Sequence, residues 1–182
     1  MKRLFDIFFS LVALAIFAAP GLLIAVLLLF RERHPVFFHQ KRIGKNKHEF
    51  TILKFQTMVD EQVTPLGRIL RKTGIDEWAQ FFNVLKGDMS IVGPRALTQY
   101  DIERLHWNDD FHATRWQVKP GISGLAQLYG GQHRKISWFW DLRYIRRNNV
   151  FMDFCIIVSS FMMNIFGKTK IRRILFKNNN LK

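Results

Sequence analysis

The sequence predicts a mostly helical α+β protein, with an N-terminal segment inside a membrane and a small domain at the membrane surface. Three observations support this prediction. No charged residue occurs from 7 to 30, β-prone runs flank a basic turn within 36–58, and apolar residues recur at helical spacing within 64–86. A length of 182 residues with 48% hydrophobic residues suits one packed unit rather than a disordered chain.

The apolar N-terminal segment, if helical, extends over roughly 30 to 36 Å, which is enough to cross a bilayer. Its two flanks are both basic, with Lys2 and Arg3 before it and Arg31, Arg33 and His34 after it. Because positive charge concentrates on the cytoplasmic side, this symmetry favours a hairpin with both ends in the cytoplasm. Pro20 and Gly21 supply the kink for such a hairpin. An ordinary kinked spanning helix is the alternative.

The next elements follow from local patterns. The turn from Gly44 to His48 predicts a β-hairpin over 36–58, and Gly74 is expected to separate two helices within 64–86. The glycine- and proline-rich runs GDMSIVGPR and VKPGISG predict ordered loops, with a polar helical stretch over 98–116 between them.

The C-terminal apolar run, Phe151 to Phe166, is too short to span a bilayer. It is followed by a cationic stretch that contains Lys168, Lys170, Arg172, Arg173 and Lys177. We therefore expect a helix that lies in the membrane interface near anionic headgroups. A buried core helix with a solvated tail fits the same pattern.

The charge balance limits the classes of partner. Lys and Arg number 28 against 14 Asp and Glu, which gives a net charge of +14 and predicts a polyanionic partner. Anionic membrane lipids fit the apolar segment, whereas no nucleic-acid recognition motif accompanies the charge, so we predict no nucleic-acid partner. The single Cys155 cannot form an internal disulfide or a zinc-binding pair.

The adjacent carboxylates Asp76 and Glu77 are the strongest candidates for chemistry. At a helix start such a pair often does no more than complement the helix dipole. Basic residues in other motifs change that interpretation, since KFQTM carries Lys54 and GDMSIVGPR carries Arg95, while Arg71 lies just upstream. An anion site next to a carboxylate pair is therefore expected to form from separate segments.

At these residues the chain resembles the monotopic phosphoglycosyl transferases, also called bacterial sugar transferases. The resemblance begins at KRLFDIFFS and continues through the hairpin, GRILRKTGIDEWAQFFNVLKGDMSIVGPR and VKPGISGLAQ. It closes with the region of Asp141 and Tyr144, which join the candidate substrate-binding residues. The order and spacing of these motifs make the match specific, and it covers essentially the whole chain.

The resemblance implies a re-entrant membrane helix over 1–34 and a catalytic domain over 35–182, half sunk in the cytoplasmic leaflet of the inner membrane. It implies transfer of a sugar phosphate from a UDP-sugar to undecaprenyl phosphate or a similar polyprenyl phosphate, with release of UMP. Asp76 would be the nucleophile of a two-step reaction, paired with Glu77 and requiring Mg²⁺. Lys54, Arg71 and Arg95 match basic positions of the family and are assigned to phosphate binding.

The sequence departs from the family pattern at Gln56, Ala79, Ala96 and Gly131, where arginine, proline, proline and arginine respectively are common. Two lost arginines bear on donor specificity, and the sequence names neither the sugar nor the pathway. A catalytically degenerate anchor that binds anionic lipid or a partner protein is the main rival, and the intact Asp76-Glu77 pair argues against it. A homodimer is left open.

Overall fold

The computed structural model describes residues 1–130, 134–167 and 170–172 and confirms the mostly helical α+β class. The first half consists of α1 (Lys2–Ile16), α2 (Ala18–Phe30), β1 (Phe37–Ile43), β2 (Glu49–Phe55), β3 (Met58–Val59), β4 (Gln62–Val63), α3 (Pro65–Thr73) and α4 (Gln80–Lys86). The second half consists of β5 (Ser90–Val92), α5 (Gln99–Leu105), β6 (Gly121–Ser123), α6 (Arg134–Arg147) and α7 (Val150–Phe166). Gly131 and the tail residues Lys168, Arg173 and Lys177 lie outside the described residues.

The apolar N-terminal segment forms two helices, which meet at an angle of 60°. The break falls at Phe17, so the predicted kink site at Pro20 lies within the first turn of α2 instead. Pro20 still accounts for the break, because it has no amide to donate to the carbonyl of Ile16. Within the described ranges no helix alone has the length and hydropathy of a membrane span, and only the bent α1–α2 pair reaches both together.

The predicted hairpin is confirmed, with β1 and β2 antiparallel and Phe38 opposite Lys54. The predicted helix pair is confirmed as well. Thr64 begins α3 by accepting a hydrogen bond from the Gly67 amide, and Gly74 ends it with a φ of 75°, a conformation that glycine adopts without strain.

The predicted helical stretch over 98–116 is interrupted. α5 ends at Leu105, and the next residue, His106, has a φ of 52°, which stops the helix. The chain resumes as a 3₁₀ helix over Asp110–Gln117. A positive φ at a residue other than glycine leaves no signal in the spacing of apolar residues, so the interruption could not be predicted from periodicity.

The core joins both halves of the chain. β5 and β6 pair in parallel, and beyond this pairing the Gly121 amide donates to the Pro94 carbonyl at 2.9 Å, which holds the GPR loop (93–95) beside the VKPG loop (118–121). The largest cluster of buried apolar residues contains Phe50, Ile52, Val84, Met89, Ile91, Leu128, Trp140, Tyr144, Ile156 and Met163. A second cluster is formed by Ile24, Leu28, Phe55 and Leu70. Because α2 contributes to this second cluster, the N-terminal helices pack on the rest of the protein. The boundary at residue 34 stays a prediction.

Helix α7 has features of both alternatives considered from sequence. Ile156 and Met163 are buried in the core, while Phe151 and Phe161 expose 78% and 63% of their surface. One side of the helix therefore packs on the protein, and the other presents large apolar side chains.

Candidate active site

The two candidate catalytic carboxylates lie in a 3₁₀ turn, Ile75–Glu77, between α3 and α4. Gly74 makes this turn possible, because its left-handed backbone redirects the chain at the end of α3. Burial, followed by the neighbouring charge of Glu77, raises the pKa of Asp76, and Lys54 and Arg71 act in the opposite direction. Asp76 is thus a half-buried carboxylate whose negative charge is only partly offset.

Lys54 reaches the turn from β2. Its Nζ donates to Glu77 Oε1 at 2.5 Å, and the two side chains are 18% and 34% exposed. The hairpin register decides this contact, because Lys54 and Phe55 alternate between the two faces of β2. Lys54 therefore fixes the orientation of Glu77 in this structure, and its predicted contact with phosphate stays a prediction.

Arg71 lies on the last turn of α3 and is exposed. Its Nε donates to Thr57 Oγ1 at 3.0 Å, and its Nη2 lies 2.9 Å from Met58 Sδ. These contacts hold the guanidinium at the edge of the Asp76–Glu77 pair, here called the dyad. Arg71 forms no ion pair with a carboxylate among the described residues. Gln56, which replaces a family arginine, donates to the Met58 carbonyl. It thus stabilises the same stretch of backbone, Thr57 and Met58, that Arg71 contacts.

Arg42 is a further cation near the dyad that the sequence did not single out. Burial and the like charge of Arg95 lower its pKa, and the charges of Asp101 and Glu77 raise it. Arg42 Nη1 donates to the Ala96 carbonyl at 3.0 Å and lies 3.6 Å from Asp101. Arg42 lies within β1 in a basic run, and its local pattern gives no sign of a role at the carboxylates.

Arg95 is exposed, at the end of the GPR loop. Its backbone carbonyl accepts a hydrogen bond from Arg115 Nη2 at 2.6 Å. Arg42 interacts electrostatically with both Glu77 and Arg95, so the hairpin, the turn of Asp76 and Glu77 and the loop that carries Arg95 lie near one another. Lys54 and Arg71 act on the carboxylates, whereas no described contact joins Arg95 to either of them, and a phosphate site formed by these cations stays a prediction.

Asp141 and Tyr144 are not brought to this cluster by any described contact. Asp141 is buried and pairs with Arg115 Nε at 3.0 Å. The Tyr144 hydroxyl donates to Asp153 at 2.8 Å, and burial with the Asp153 charge raises its pKa. Their predicted role in substrate binding stays a prediction, and in this structure both belong to buried polar networks.

Gly21 lies directly beneath Trp78, the residue that follows Glu77. A Cβ at Gly21 would come 3.0 Å from Trp78 Cζ3, so the ring packs on bare backbone. The indole Nε1 of Trp78 also donates to the Ala13 carbonyl of α1 at 3.2 Å. Trp78 thus ties the bent helix pair to the turn that carries the carboxylates.

The profile of the family described as bacterial sugar transferase matches residues 1–167, which include every candidate residue of this site. The chain belongs to the bacterial sugar transferase family.

Curated members of this family are similar over most of the chain. The UDP-N-acetylgalactosamine-undecaprenyl-phosphate N-acetylgalactosaminephosphotransferase of Aeromonas hydrophila is 34% identical over 186 residues, which cover 92% of this chain and 44% of that protein. The undecaprenyl-phosphate glucose phosphotransferase of Komagataeibacter xylinus is 33% identical, covering 92% of this chain and 36% of that protein. The uncharacterized sugar transferase EpsL of Bacillus subtilis is 36% identical, with 86% and 83% covered. The chain therefore spans less than half the length of the first two relatives.

The carboxylate oxygens of the candidate site fit a hard divalent cation such as Mg²⁺. Within 1–130, 134–167 and 170–172, no group of three or more His, Cys, Asp or Glu side chains is placed to hold a metal ion. Asp76 and Glu77 supply carboxylate oxygens, the ligand type that Mg²⁺ prefers. Since Mg²⁺ commonly completes its shell with water and substrate phosphates, two protein carboxylates are a sufficient protein contribution.

Proposed function

We propose that this chain transfers a sugar 1-phosphate from a UDP-sugar to polyprenyl phosphate and releases UMP. The observation that carries the proposal is the half-buried Asp76 carboxylate beside Glu77, with Lys54 and Arg71 acting electrostatically on Asp76 and Arg42 interacting with Glu77. Two relatives named as undecaprenyl-phosphate sugar phosphotransferases support the same chemistry. A degenerate lipid-binding anchor would have no use for this arrangement.

In the first step an oxygen of Asp76 attacks the phosphorus that carries the sugar. The new bond joins that oxygen to phosphorus, and the bond from phosphorus to the bridging oxygen breaks, so UMP leaves with the electron pair. The raised pKa of Asp76 favours this attack, because a more basic carboxylate is a better nucleophile. Arg71, Arg95 and Arg42 would bind the phosphate oxygens and offset their charge.

In the second step a phosphate oxygen of the polyprenyl phosphate attacks the same phosphorus. The bond to Asp76 breaks and the carboxylate is regenerated, so the sugar phosphate ends on the lipid as a diphosphate. Asp141 and Tyr144 would support this site indirectly, since Arg115 links Asp141 to the Arg95 carbonyl and Tyr144 lies 2.9 Å from the Val92 carbonyl.

Asp76 and Glu77 are the residues that would hold Mg²⁺. When bound, the ion offsets the repulsion between the attacking carboxylate and the diphosphate. Lys54 keeps one oxygen of Glu77 fixed, which leaves the other free to face the cation.

We further propose that α1 and α2 form a re-entrant membrane hairpin, with α7 in the interface against anionic lipids, at the cytoplasmic face of the inner membrane. The 60° bend, the basic flanks and the exposed apolar side chains of both regions support this topology. Single cysteines at position 2 and at position 33, which is exposed whereas His34 is buried, should be labelled in a Cys155→Ser background by an impermeant maleimide only from the cytoplasmic side. Labelling from opposite sides would establish a spanning segment.

The covalent step is tested by the order of product release. Purified full chain mixed with its UDP-sugar and Mg²⁺, without acceptor, should release at most one equivalent of UMP and gain the mass of one phosphosugar. Polyprenyl phosphate should then discharge the adduct. Intersecting double-reciprocal lines and no UMP without acceptor would show a ternary complex and contradict the role of Asp76 as nucleophile. A panel of UDP-sugars identifies the donor.

A further inference from the structure

A second cation-lined pocket lies at the beginning of α1, away from the catalytic turn. Its volume is about 250 Å³, and its charged lining consists of Lys2, Arg3, Lys45, Lys119 and the single acid Asp6. The VKPG motif supplies Lys119, and the turn of the β1–β2 hairpin supplies Lys45. The proposed transfer reaction uses none of these residues.

Three of these charged side chains, those of Lys2, Arg3 and Asp6, already have partners within the protein. Lys2 binds Asp153 at 2.5 Å, and Arg3 Nη2 donates to the Leu85 carbonyl at the end of α4 at 2.7 Å. Asp6 accepts hydrogen bonds from the Ser90 hydroxyl and from the Ile91 amide. The one acid of the lining is therefore bound to neutral donors.

The side chains of Lys45 and Lys119, by contrast, form no ion pair or hydrogen bond with any group in the part of the chain that the structure describes. Burial lowers the pKa of Lys119, and the charges of Arg3 and Lys45 lower it further, while the charges of Asp6 and Asp88 act in the opposite direction without forming an ion pair with Lys119. Arg3 already satisfies the last carbonyls of α4, so Lys119 is not needed to cap that helix.

Gly87 leaves room between the two cations. Its missing Cβ would lie 3.5 Å from Lys119 Nζ and 3.6 Å from Arg3 Nη2. An oxygen of a bound anion near this position could accept hydrogen bonds from both groups. Val92, Val118 and the Tyr144 ring complete the lining with apolar surface.

We propose that this pocket binds a phosphate ester, with Lys119, Lys45 and Arg3 contacting the phosphate and the apolar lining contacting the attached organic group. The pocket is separate from the catalytic site, since Arg3 and Ala13 lie about 15 Å apart along α1 and Ala13 is the residue bound by Trp78. The phosphate can come from an anionic phospholipid headgroup or from a soluble ester.

Thermal unfolding of the full chain in neutral detergent micelles tests the proposal. Phosphatidylglycerol, phosphatidylcholine and inorganic phosphate are titrated separately, and the midpoint shift gives an apparent Kd. Wild type should respond saturably to phosphatidylglycerol or to inorganic phosphate and not to phosphatidylcholine. A response to phosphatidylglycerol alone indicates a headgroup, and an equal response to inorganic phosphate indicates a soluble ester.

The variants decide where the anion binds. Lys119→Ala and Lys45→Ala should each weaken the response about tenfold, because each loses a charge-assisted contact. Lys86→Ala removes an exposed lysine that pairs with Asp88 outside the pocket lining, and its Kd should stay within about twofold. Arg95→Ala, in the catalytic cluster, should also leave the response intact. Unchanged affinity in both pocket variants, or loss of the response in Arg95→Ala, would overturn the proposal without bearing on the transferase reaction.

Discussion

Two aspartates of this protein lie in contrasting surroundings. Asp153 is 1% exposed and is bound by Lys2 at 2.5 Å and by the Tyr144 hydroxyl at 2.8 Å. Asp76 is half-buried and forms no salt bridge with any described residue, although Lys54 and Arg71 lie near enough to influence its pKa. The protein compensates the first charge with its own side chains and leaves the second available.

This difference separates a structural charge from a reactive one. A buried carboxylate that is fully hydrogen-bonded stabilises one fold and has no capacity for a ligand. A carboxylate with nearby but unattached cations keeps its capacity for a metal ion or a phosphorus atom. The same contrast applies to the cations, since Lys2 is bound whereas Lys119 is not.

The largest effect is expected from Asp76→Asn. Transfer should fall at least a thousandfold, because an amide is neither a nucleophile nor a good Mg²⁺ ligand, whereas the melting midpoint should stay close to that of wild type. A radiolabelled transfer assay and thermal unfolding measure the two quantities. Activity within tenfold of wild type would contradict the assignment.

Asp153→Ala should have the opposite profile. Removal of this carboxylate deprives Lys2 of its counter-ion and leaves the Val92 carbonyl as the shared acceptor of Lys2 and the Tyr144 hydroxyl, which should lower the free energy of unfolding by about 2 kcal/mol. The folded fraction should retain most of its activity. Asp110→Ala, at an exposed site, is the matched control and should change stability by less than about 0.5 kcal/mol. Equal stability of both variants would show that the buried network contributes little.

Glu77→Gln tests the surroundings of Asp76, the reactive one of the two aspartates, through its pH dependence. The first step needs ionised Asp76, so its rate falls as the pH drops through the raised pKa of Asp76. Without the negative charge of Glu77 that pKa decreases, so the titration of the Asp76 carboxyl, followed by ¹³C NMR in Mg²⁺-free protein, should move to lower pH. Glu61→Gln, on the exposed β3–β4 turn, should leave this titration in place. A shift to higher pH would mean that the charge of Glu77 does not raise the pKa of Asp76.

The smallest effect is expected from Gly21→Ala. The added methyl group would come 3.0 Å from the Trp78 ring, so the ring must move slightly, at a cost of about 1 kcal/mol. Because Trp78 directly follows Glu77 in the chain, a movement of its ring should also disturb the two carboxylates, and the activity should decrease. The tryptophan emission maximum and the melting midpoint report the shift. Ala19→Ser, at an exposed position two residues earlier, should alter neither.

Local signals in the sequence predicted much of this arrangement. The hairpin follows from β-prone runs around a turn, and the turn of the dyad follows from Gly74 after a capped helix. The two carboxylates and the nearby Lys54 and Arg71 were singled out from motifs, and their catalytic roles stay predictions. These features depend on residues close together in sequence, where turn and capping preferences decide the conformation.

Contacts between distant residues were not predicted. Lys2 and Arg3 were interpreted as membrane-flanking charges, yet they bind Asp153 and the carbonyls of α4. Arg42 was missed because its relation to Arg95 and Glu77 exists only after the hairpin packs on the loop. A single sequence carries no pairing information at such separations, so the partner of a charge can be assigned only from the structure.

The link between Lys2 and Asp153 also has a consequence for synthesis. The two residues are separated by 151 positions, so Lys2 meets its partner only after those positions have been translated. At about 5–20 residues per second, the ribosome takes roughly 10–30 s to cover that distance. During this interval α1 is apolar and lacks most of its intramolecular contacts, and its ammonium group is unpaired. Insertion of the helix pair into the bilayer therefore has time to precede closure of the domain around Lys2.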